Sequence, residues 1–382
     1  MRETGVHTVL IDRISQSPEG SIPFRTFMET TLYDPEFGYY CKKRVKIGKG
    51  GDFYTSASVG SVYGQTLARV IADMLHTLPA DRMCSIVEMG GGSGSLGADV
   101  LGALKEKGVL RDRRIRYVMI EISAYHRNLQ QASLSAFAGE VELCWYDTIA
   151  KAKEAIPELY GVLFSNELSD AFPVHLVERG NKGWQEVHVS LGEDGRFVER
   201  LLPLVDKEVM AYIQRERIPA LNGYRTEVNL EAIYWMKEAA AWLTCGYMLT
   251  VDYGYRREQL YTPSRRTGTL LCYREHTATD NPYEQPGEAD ITSHVNFSAL
   301  MDTGETAGLA TLSFSSQRDF LVAAGILTQL QEHGGGDPFR NPVAKRNRAI
   351  MQLIAESGMG RAFCVLVQGR GVKALSYLQG QV

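Results

Sequence analysis

From Val62 onward, the apolar positions Leu67, Val70, Ile71, Met74, Leu75 and Leu78 recur at helical spacing, and Pro79 stops the run. Short apolar runs then alternate with amphipathic stretches. "SIVEM" predicts a buried strand, "LGADVLGALKEKG" a helix stopped at Gly108, "IRYVMIE" a second strand, and "SAYHRNLQQAS" a helix with Ser123 as its N-cap. A weaker third strand falls at "VELCW" and a fourth at "GVLFSN". This alternation predicts an α/β fold built on a mostly parallel sheet with helices on both faces. Residues 183–225 interrupt it, and "GWQEVHVSLGEDGRFVERLL" reads as a hairpin around a glycine-containing turn. Asn229 opens "NLEAIYWMKEAAAWLTCG", predicted as a helix ending at Gly246, and "YMLTVDYG" follows as a buried strand. Residues 255–300 read as loop-rich. "FSALMDTGETAG", "ATLSF", "SQRDFLVAAG" and "AFCVLVQG" then resume helices and strands and finish the sheet. Ahead of Val62 turn formers are frequent, and "TLYDPEFGYY" and "KIGKGGDFYTS" read as loops.

Composition narrows the class without naming a chemistry. At 382 residues the chain has room for about two to three domain-sized units or one enlarged α/β domain. It is 44% apolar and 23% charged, as a globular protein with a substantial core is. A net charge of −4, with both signs spread along the chain, argues against a general nucleic-acid binder, which carries a basic stripe. The six cysteines (Cys41, Cys84, Cys144, Cys245, Cys272 and Cys364) are scattered, none in C-x-x-C spacing, so neither a disulfide framework nor a metal site is expected. The first residues include Glu3 and Asp12 and form no apolar signal core, and no apolar run reaches 18 residues. The expectation is a soluble cytoplasmic protein with no membrane insertion.

The stretch "SIVEMGGGSGSLGADVL" carries the chemistry. Strand, glycine turn and helix N-terminus make a phosphate cradle in dinucleotide enzymes, and Gly92, Gly94 and Gly97 satisfy G-x-G-x-x-G, with Glu121 placed as a ribose-binding acid. An overlapping pattern, E-x-G-x-G-x-G at Glu88, Gly90, Gly92 and Gly94, resembles the first motif of class I S-adenosylmethionine-dependent methyltransferases. That cofactor has no phosphate. Its site needs close backbone approach, which glycines allow, and acceptors for an ammonium group. On this reading Glu88 lies near the amino-acid end of the ligand, Glu121 accepts both ribose hydroxyls, and Asp147 meets the adenine amino group. On spacing alone, dinucleotide binding stays open.

Further segments resemble one family. "FMETTLYDPEFGYY", "GDFYTSASVGSVYG", "EMGGGSG", "YVMIEIS", "SNELSDAFPVH", "VDYG", "PGEADITSHVNF", "SQRDFL" and "GMGRAF" occur in one order from about residue 20 to 370. Together they resemble the MidA-like family of class I methyltransferase-fold proteins, which includes a mitochondrial complex I assembly factor that methylates a protein arginine. The resemblance implies a Rossmann-like methyltransferase sheet with N-terminal and inserted helical and hairpin elements. Residues 1–80 would be a cofactor-covering and helical segment, 81–182 the first part of the core, 183–245 an inserted substrate region, and 246–382 the rest of the core with the 255–300 insertion.

It also implies S-adenosylmethionine as cofactor, with Asp52, Phe53, Thr55 and Ser56 closing over it and Ser123 and Asn166 completing its contacts. A protein substrate is expected, and a homodimer is the expected assembly. For an arginine acceptor, Glu167 and Asp170 just past the fourth strand are placed to hold the guanidinium, and Asp252 at the end of "LTVDYG" is a third catalytic candidate. The family pattern is broken at Ala57, where a proline is usual, at Ser58 and Asn296, where carboxylates are, and at Ser169, where an aromatic is. A catalytically silent cofactor-binding assembly factor, or a methyltransferase for a small-molecule acceptor, are the alternatives.

Overall fold

The computed structural model describes residues 5–42, 56, 59–274, 277–332, 341–356 and 359–379. The chain divides into two compact units. One comprises Met1–Phe53, Ser169–Trp235 and Gly254–Leu300; the other comprises Tyr54–Leu168, Met236–Tyr253 and Met301–Val382.

The second unit holds the large sheet. Its strands are β1 (Cys84–Met89), β2 (Ile115–Ile120), β3 (Glu142–Tyr146), β4 (Leu159–Asn166), β5 (Leu243–Tyr255), β6 (Ala310–Ser316) and β7 (Phe363–Arg370), in the spatial order β6-β7-β5-β4-β1-β2-β3. The pairs β1–β2, β2–β3, β1–β4 and β4–β5 are parallel, whereas β7 runs antiparallel to both β5 and β6. The order reverses between β1 and β4, and at such a switch point the loops leave a crevice at the strand C-termini. Central strand β1 is buried at every residue, as a strand covered on both faces must be. Among its helices are α1 (Ser61–His76), α2 (Ser95–Glu106), α3 (Ala124–Leu134), α4 (Ile149–Ala155) and α5 (Gln317–Ala323). The predicted stripe of α1, including Leu67, Val70, Ile71 and Met74, joins Ile86, Val162 and Leu249 of the strands in one core. Gly64 lets α1 approach α2, since a Cβ there would lie 2.5 Å from that of Asp99.

The first unit is built around an antiparallel sheet. Strands Ser21–Pro23, Gly183–Leu191, His175–Gly180 and Arg225–Val228 follow one another across it, and Phe197–Pro203 pairs with Gly183–Leu191 as the predicted hairpin. Helices Gly5–Gln16 and Phe24–Tyr33 bury Val6, Leu10, Phe24, Phe27 and Met28 with Val187 and Val189. Neither helix was predicted; of the stretches read as loops, "TLYDPEFGYY" is helical only over residues 31–33, and "KIGKGGDFYTS" lies outside the described residues apart from Ser56. Residues 255–300, read as loop-rich, hold a three-stranded sheet of Leu271–Arg274, Thr277–Thr279 and Asp290–Thr292 that was not predicted. The helix opened after Asn229 ends at Trp242, not Gly246, because Leu243 already pairs with Leu159 as the start of β5.

Candidate functional site

The crevice in the second unit begins at the glycine loop after β1. Gly90, Gly92 and Gly94 have φ of +67°, +51° and +80°, in the left-handed region where only glycine is unstrained. The loop runs close over its surroundings: a Cβ on Gly90 would lie 2.7 Å from Leu168 Cδ1, and one on Gly94 would lie 2.9 Å from Gln130 Cα. Glu88 lies beneath this loop, 2% exposed, and its Oε2 accepts the Tyr117 hydroxyl at 2.6 Å. Burial pushes its carboxyl up to about 8, against the Tyr117 hydrogen bond, which lowers it, and with the Glu121 charge, which raises it further. A Cβ on Gly97 would meet Glu88 Oε2 at 2.6 Å, so the third glycine of the G-x-G-x-x-G match serves helix-on-strand packing. A bare-backbone loop of this kind is a cradle that side chains would fill, and it fits a ligand that needs close backbone approach.

Glu121 directly follows β2 at 7% exposure, with its Oε1 accepting Ser123 N at 2.9 Å and its Oε2 accepting Gln130 Nε2 at 3.2 Å. Ser123 caps α3, its side chain accepting His126 N. Gln130 Nε2 also donates to Gly92 O at 3.0 Å, and Ser133 Oγ donates to Ser93 O at 2.8 Å. Helix α3 thereby fastens the glycine loop to the acid of the next strand. Asp147, after β3, pairs with Lys151 Nζ at 2.6 Å on the first turn of α4, and that partner holds its carboxyl below the usual range.

Strands β4 and β5 end side by side. Asn166 is the register partner of Val251, and Glu167 N donates to Val251 O at 2.9 Å. Glu167 has φ +54°, a conformation costly for a residue with a Cβ and frequent at functional sites. Its Oε1 accepts Asn166 Nδ2 at 3.0 Å and Ser56 N at 3.1 Å. Asn166 Oδ1 in turn accepts the Tyr63 hydroxyl at 2.6 Å. Ser56 Oγ donates to Gln317 Oε1 at 2.9 Å. Asp252, fully buried, accepts Leu168 N on Oδ2 and Tyr253 N on Oδ1, so it holds the turn that follows Glu167.

The structure thus brings Glu88, Gly90, Gly92, Gly94, Glu121, Ser123, Asp147, Asn166, Glu167 and Asp252 to the C-terminal ends of one sheet. Asp52, Phe53 and Thr55 lie outside the described residues, as do Ala57 and Ser58. Asp170 belongs to the first unit, 6% exposed in the turn Ser169–Ala171, with its carbonyl accepting Ser293 N. Asn296 is there too. Its Nδ2 donates to Glu216 Oε2 at 2.8 Å and to the Tyr212 hydroxyl at 3.1 Å. An aspartate would set two carboxylates together, which accounts physically for the amide at this place. Sequence reasoning missed Tyr63, Tyr117 and Gln130. For Gln130 the one available signal is its position four residues before Leu134, on the buried face of α3.

A doubly wound sheet with an antiparallel strand inserted beside β5, and a glycine loop facing an acid at the next strand end, define a class I S-adenosylmethionine-dependent methyltransferase. The chain belongs to the family described as "Putative S-adenosyl-L-methionine-dependent methyltransferase", whose model matches residues 66–315. It is 28% identical over 338 residues to "Protein arginine methyltransferase NDUFAF7, mitochondrial" of Danio rerio, covering 82% of this chain and 75% of that one. The protein of the same name from Homo sapiens is 26% identical, covering 82% and 72%. A crystal structure from Burkholderia thailandensis with S-adenosyl-homocysteine bound superposes with a TM-score of 0.85 at 32% identity, over 98% of this chain and 95% of that one. These findings set aside the dinucleotide reading. They also correct the expected cytoplasmic placement, since these relatives are named mitochondrial. Reduced thiols and an unremarkable charge do not distinguish the two compartments, so composition carried no information on this point. Among the described residues, no helix is long and apolar enough to cross a membrane.

Proposed function

We propose that this enzyme transfers the methyl group of S-adenosylmethionine to a protein arginine, with Glu167 as the carboxylate that meets the acceptor. The observation that carries the reading is Glu167 itself, held in a left-handed conformation where two parallel strands end beside the glycine loop strand. The names of the relatives support the acceptor class.

Bound cofactor supplies an activated methyl group; the chain's residues hold and orient. In the proposal the glycine loop takes the amino-acid end, Glu121 the ribose hydroxyls and Asp147 the adenine edge. Ser123 and Ser56 help to shape the site, and Asn166 stands between cofactor and acceptor. An arginine side chain stays protonated at neutral pH, so a carboxylate binds it as a cation and fixes one nitrogen toward the methyl group. Ser56 N and Asn166 Nδ2 both donate to Glu167 Oε1, which restrains the carboxylate before the acceptor arrives. Asp252 supports this through the Leu168 turn. Asp170 enters the proposal through its sequence position, three residues beyond Glu167.

The test is transfer of isotopic methyl from S-adenosylmethionine into a lysate lacking this protein, followed by acid hydrolysis and amino-acid analysis. Label in methylarginine is expected, with Glu167→Gln lowering turnover about tenfold or more, the worth of one charge-assisted bond. Cofactor affinity should be unchanged. Label confined to another amino acid or to small molecules would overturn the acceptor assignment.

A further inference from the structure

Gln130 is completely buried, and its side-chain nitrogen lies within hydrogen-bond distance of two acceptors, Gly92 O at 3.0 Å and Glu121 Oε2 at 3.2 Å. A backbone carbonyl and an ionised carboxylate can only accept, so chemistry fixes the amide with its two N–H groups toward them. The other end, Gln130 Oε1, is then buried with no donor. An orphaned buried acceptor costs stability. An unbranched apolar side chain of the same length would fill the space without that cost, so packing does not explain a glutamine here. The amide is explained by what its nitrogen ties together.

The backbone already pairs the start of the glycine loop with the end of β2, Gly90 N donating to Ile120 O at 3.0 Å; Gln130 adds the tie that reaches the Glu121 side chain. The glycine loop carries almost no side chains of its own, and α3 holds it by Gln130 to Gly92 O, by Ser133 to Ser93 O and by close backbone packing at Gly94. The Glu121 carboxylate is held on one oxygen by Ser123 N and on the other by Gln130, with His126 Nδ1 3.9 Å from that second oxygen. A carboxylate has about four lone-pair directions, all lying in its own plane. Two donors at set angles fix the plane in which those directions lie.

We propose that Gln130 is a positioning residue for the cofactor's ribose, setting the plane of the Glu121 carboxylate and its register with the glycine loop through one bifurcating amide. The proposal rests on the reading of Glu121 as the ribose-binding acid. It assigns ribose selectivity to a residue that does not itself touch the sugar.

The experiment measures dissociation constants of S-adenosyl-homocysteine and its 2′-deoxy analogue by calorimetry, on the full chain and its variants. The wild type should prefer the natural ribose by about tenfold or more, one hydrogen bond to a charged acceptor. Gln130→Met keeps length and bulk and removes the orphaned acceptor but takes a donor from Gly92 O and Glu121 Oε2, so the thermal midpoint should fall only modestly. The preference should shrink to about threefold or less as the carboxylate loses its fixed plane. Should that variant not fold, Gln130→Asn, which draws the amide back by one methylene, should show the same loss. An unchanged preference in the variant that folds overturns the proposal, as does a fall in midpoint and in both affinities at constant ratio, the mark of packing alone. Glu121→Gln separates the underlying reading. If it keeps the wild-type preference, Glu121 is not the ribose acid. If it abolishes the preference while the Gln130 variants keep it, Glu121 stands and the role of Gln130 falls.

Discussion

Two alanine substitutions in α2 should have opposite effects. An exposed helical glycine replaced by alanine gains up to about 1 kcal/mol from backbone propensity alone. At Gly102 the new Cβ would have its nearest neighbour, Phe137 Cζ, at 4.0 Å, an ordinary contact, so Gly102→Ala should stabilise by roughly 0.5–1 kcal/mol. At Gly97 the new Cβ would lie 2.6 Å from Glu88 Oε2 and 2.8 Å from the Tyr117 hydroxyl. Both side chains are at most 2% exposed and bonded to each other, so neither can move aside without breaking the bond. Overpacking costs about 1–3 kcal/mol, and separating a buried bonded pair about 1–3 more. Set against the propensity gain, Gly97→Ala should destabilise by roughly 1–5 kcal/mol, leaving a gap of about 2 kcal/mol or more between the two variants. Urea unfolding followed by two optical probes measures it, and calorimetry with S-adenosyl-homocysteine should show weakened binding for Gly97→Ala only. Equal midpoints would refute the argument that Glu88 and Tyr117 demand a glycine there.

Tyr63→Phe removes the hydroxyl that donates to Asn166 Oδ1, and the Asn166–Glu167 bond then loses its orientation. Methyl transfer should fall about tenfold with the fold intact, and unchanged kcat/KM would show that Tyr63 has no part in it. Glu88 gives a pH prediction. Its carboxyl titrates near 4.5 in the unfolded chain and at about 8 in the folded one. Between these values the folded chain holds a proton that the unfolded chain has released, so stability falls as pH rises through that range and levels off above it. Glu88→Gln removes this slope, which thermal midpoints from pH 5 to 9 would reveal; parallel curves for the two proteins would contradict it.

The elements that carry the proposed cofactor residues were legible because those residues follow the short apolar strands of one sheet, of which β1 is buried throughout. Continuous apolar runs closed by an acid or a glycine mark such strands, and the Ser123 cap marks the start of α3. Gly97 matched a dinucleotide fingerprint for a real reason, helix-on-strand packing, while the phosphate chemistry that the fingerprint suggests did not follow. Leu230–Trp242 runs straight into β5 with no breaker. Its exposed positions Tyr234, Lys237, Glu238 and Ala241 show the helical period, but nothing in the sequence marks its end, which is set by the pairing of Leu243 with Leu159 and the bond of Trp242 Nε1 to Ile156 O. In the N-terminal helix, Val6, Leu10 and Ile14 stand four apart, a signal that the surrounding turn formers outweighed. Strands of three or four residues at 271–292 are too short to show alternation. Tyr63 reaches Asn166 and Gln130 reaches Gly92, partners more than 30 residues away, which no local pattern encodes.

The place of β7 bears on how the chain is made. It is the last strand in sequence, yet it lies between β5 and β6 and matches β5 over eight residue pairs, Gly246–Arg370 to Tyr253–Phe363. During synthesis β5 leaves the ribosome more than 100 residues ahead of this partner. For that interval one edge of a strand rich in apolar residues has its backbone donors and acceptors unmatched, the kind of edge that recruits strands from other chains. Pairing at this sequence separation is also slow to form. The nascent protein therefore has a window in which a chaperone competes with aggregation. A ribosome stalled before residue 363 would present that edge as a lasting target for quality control.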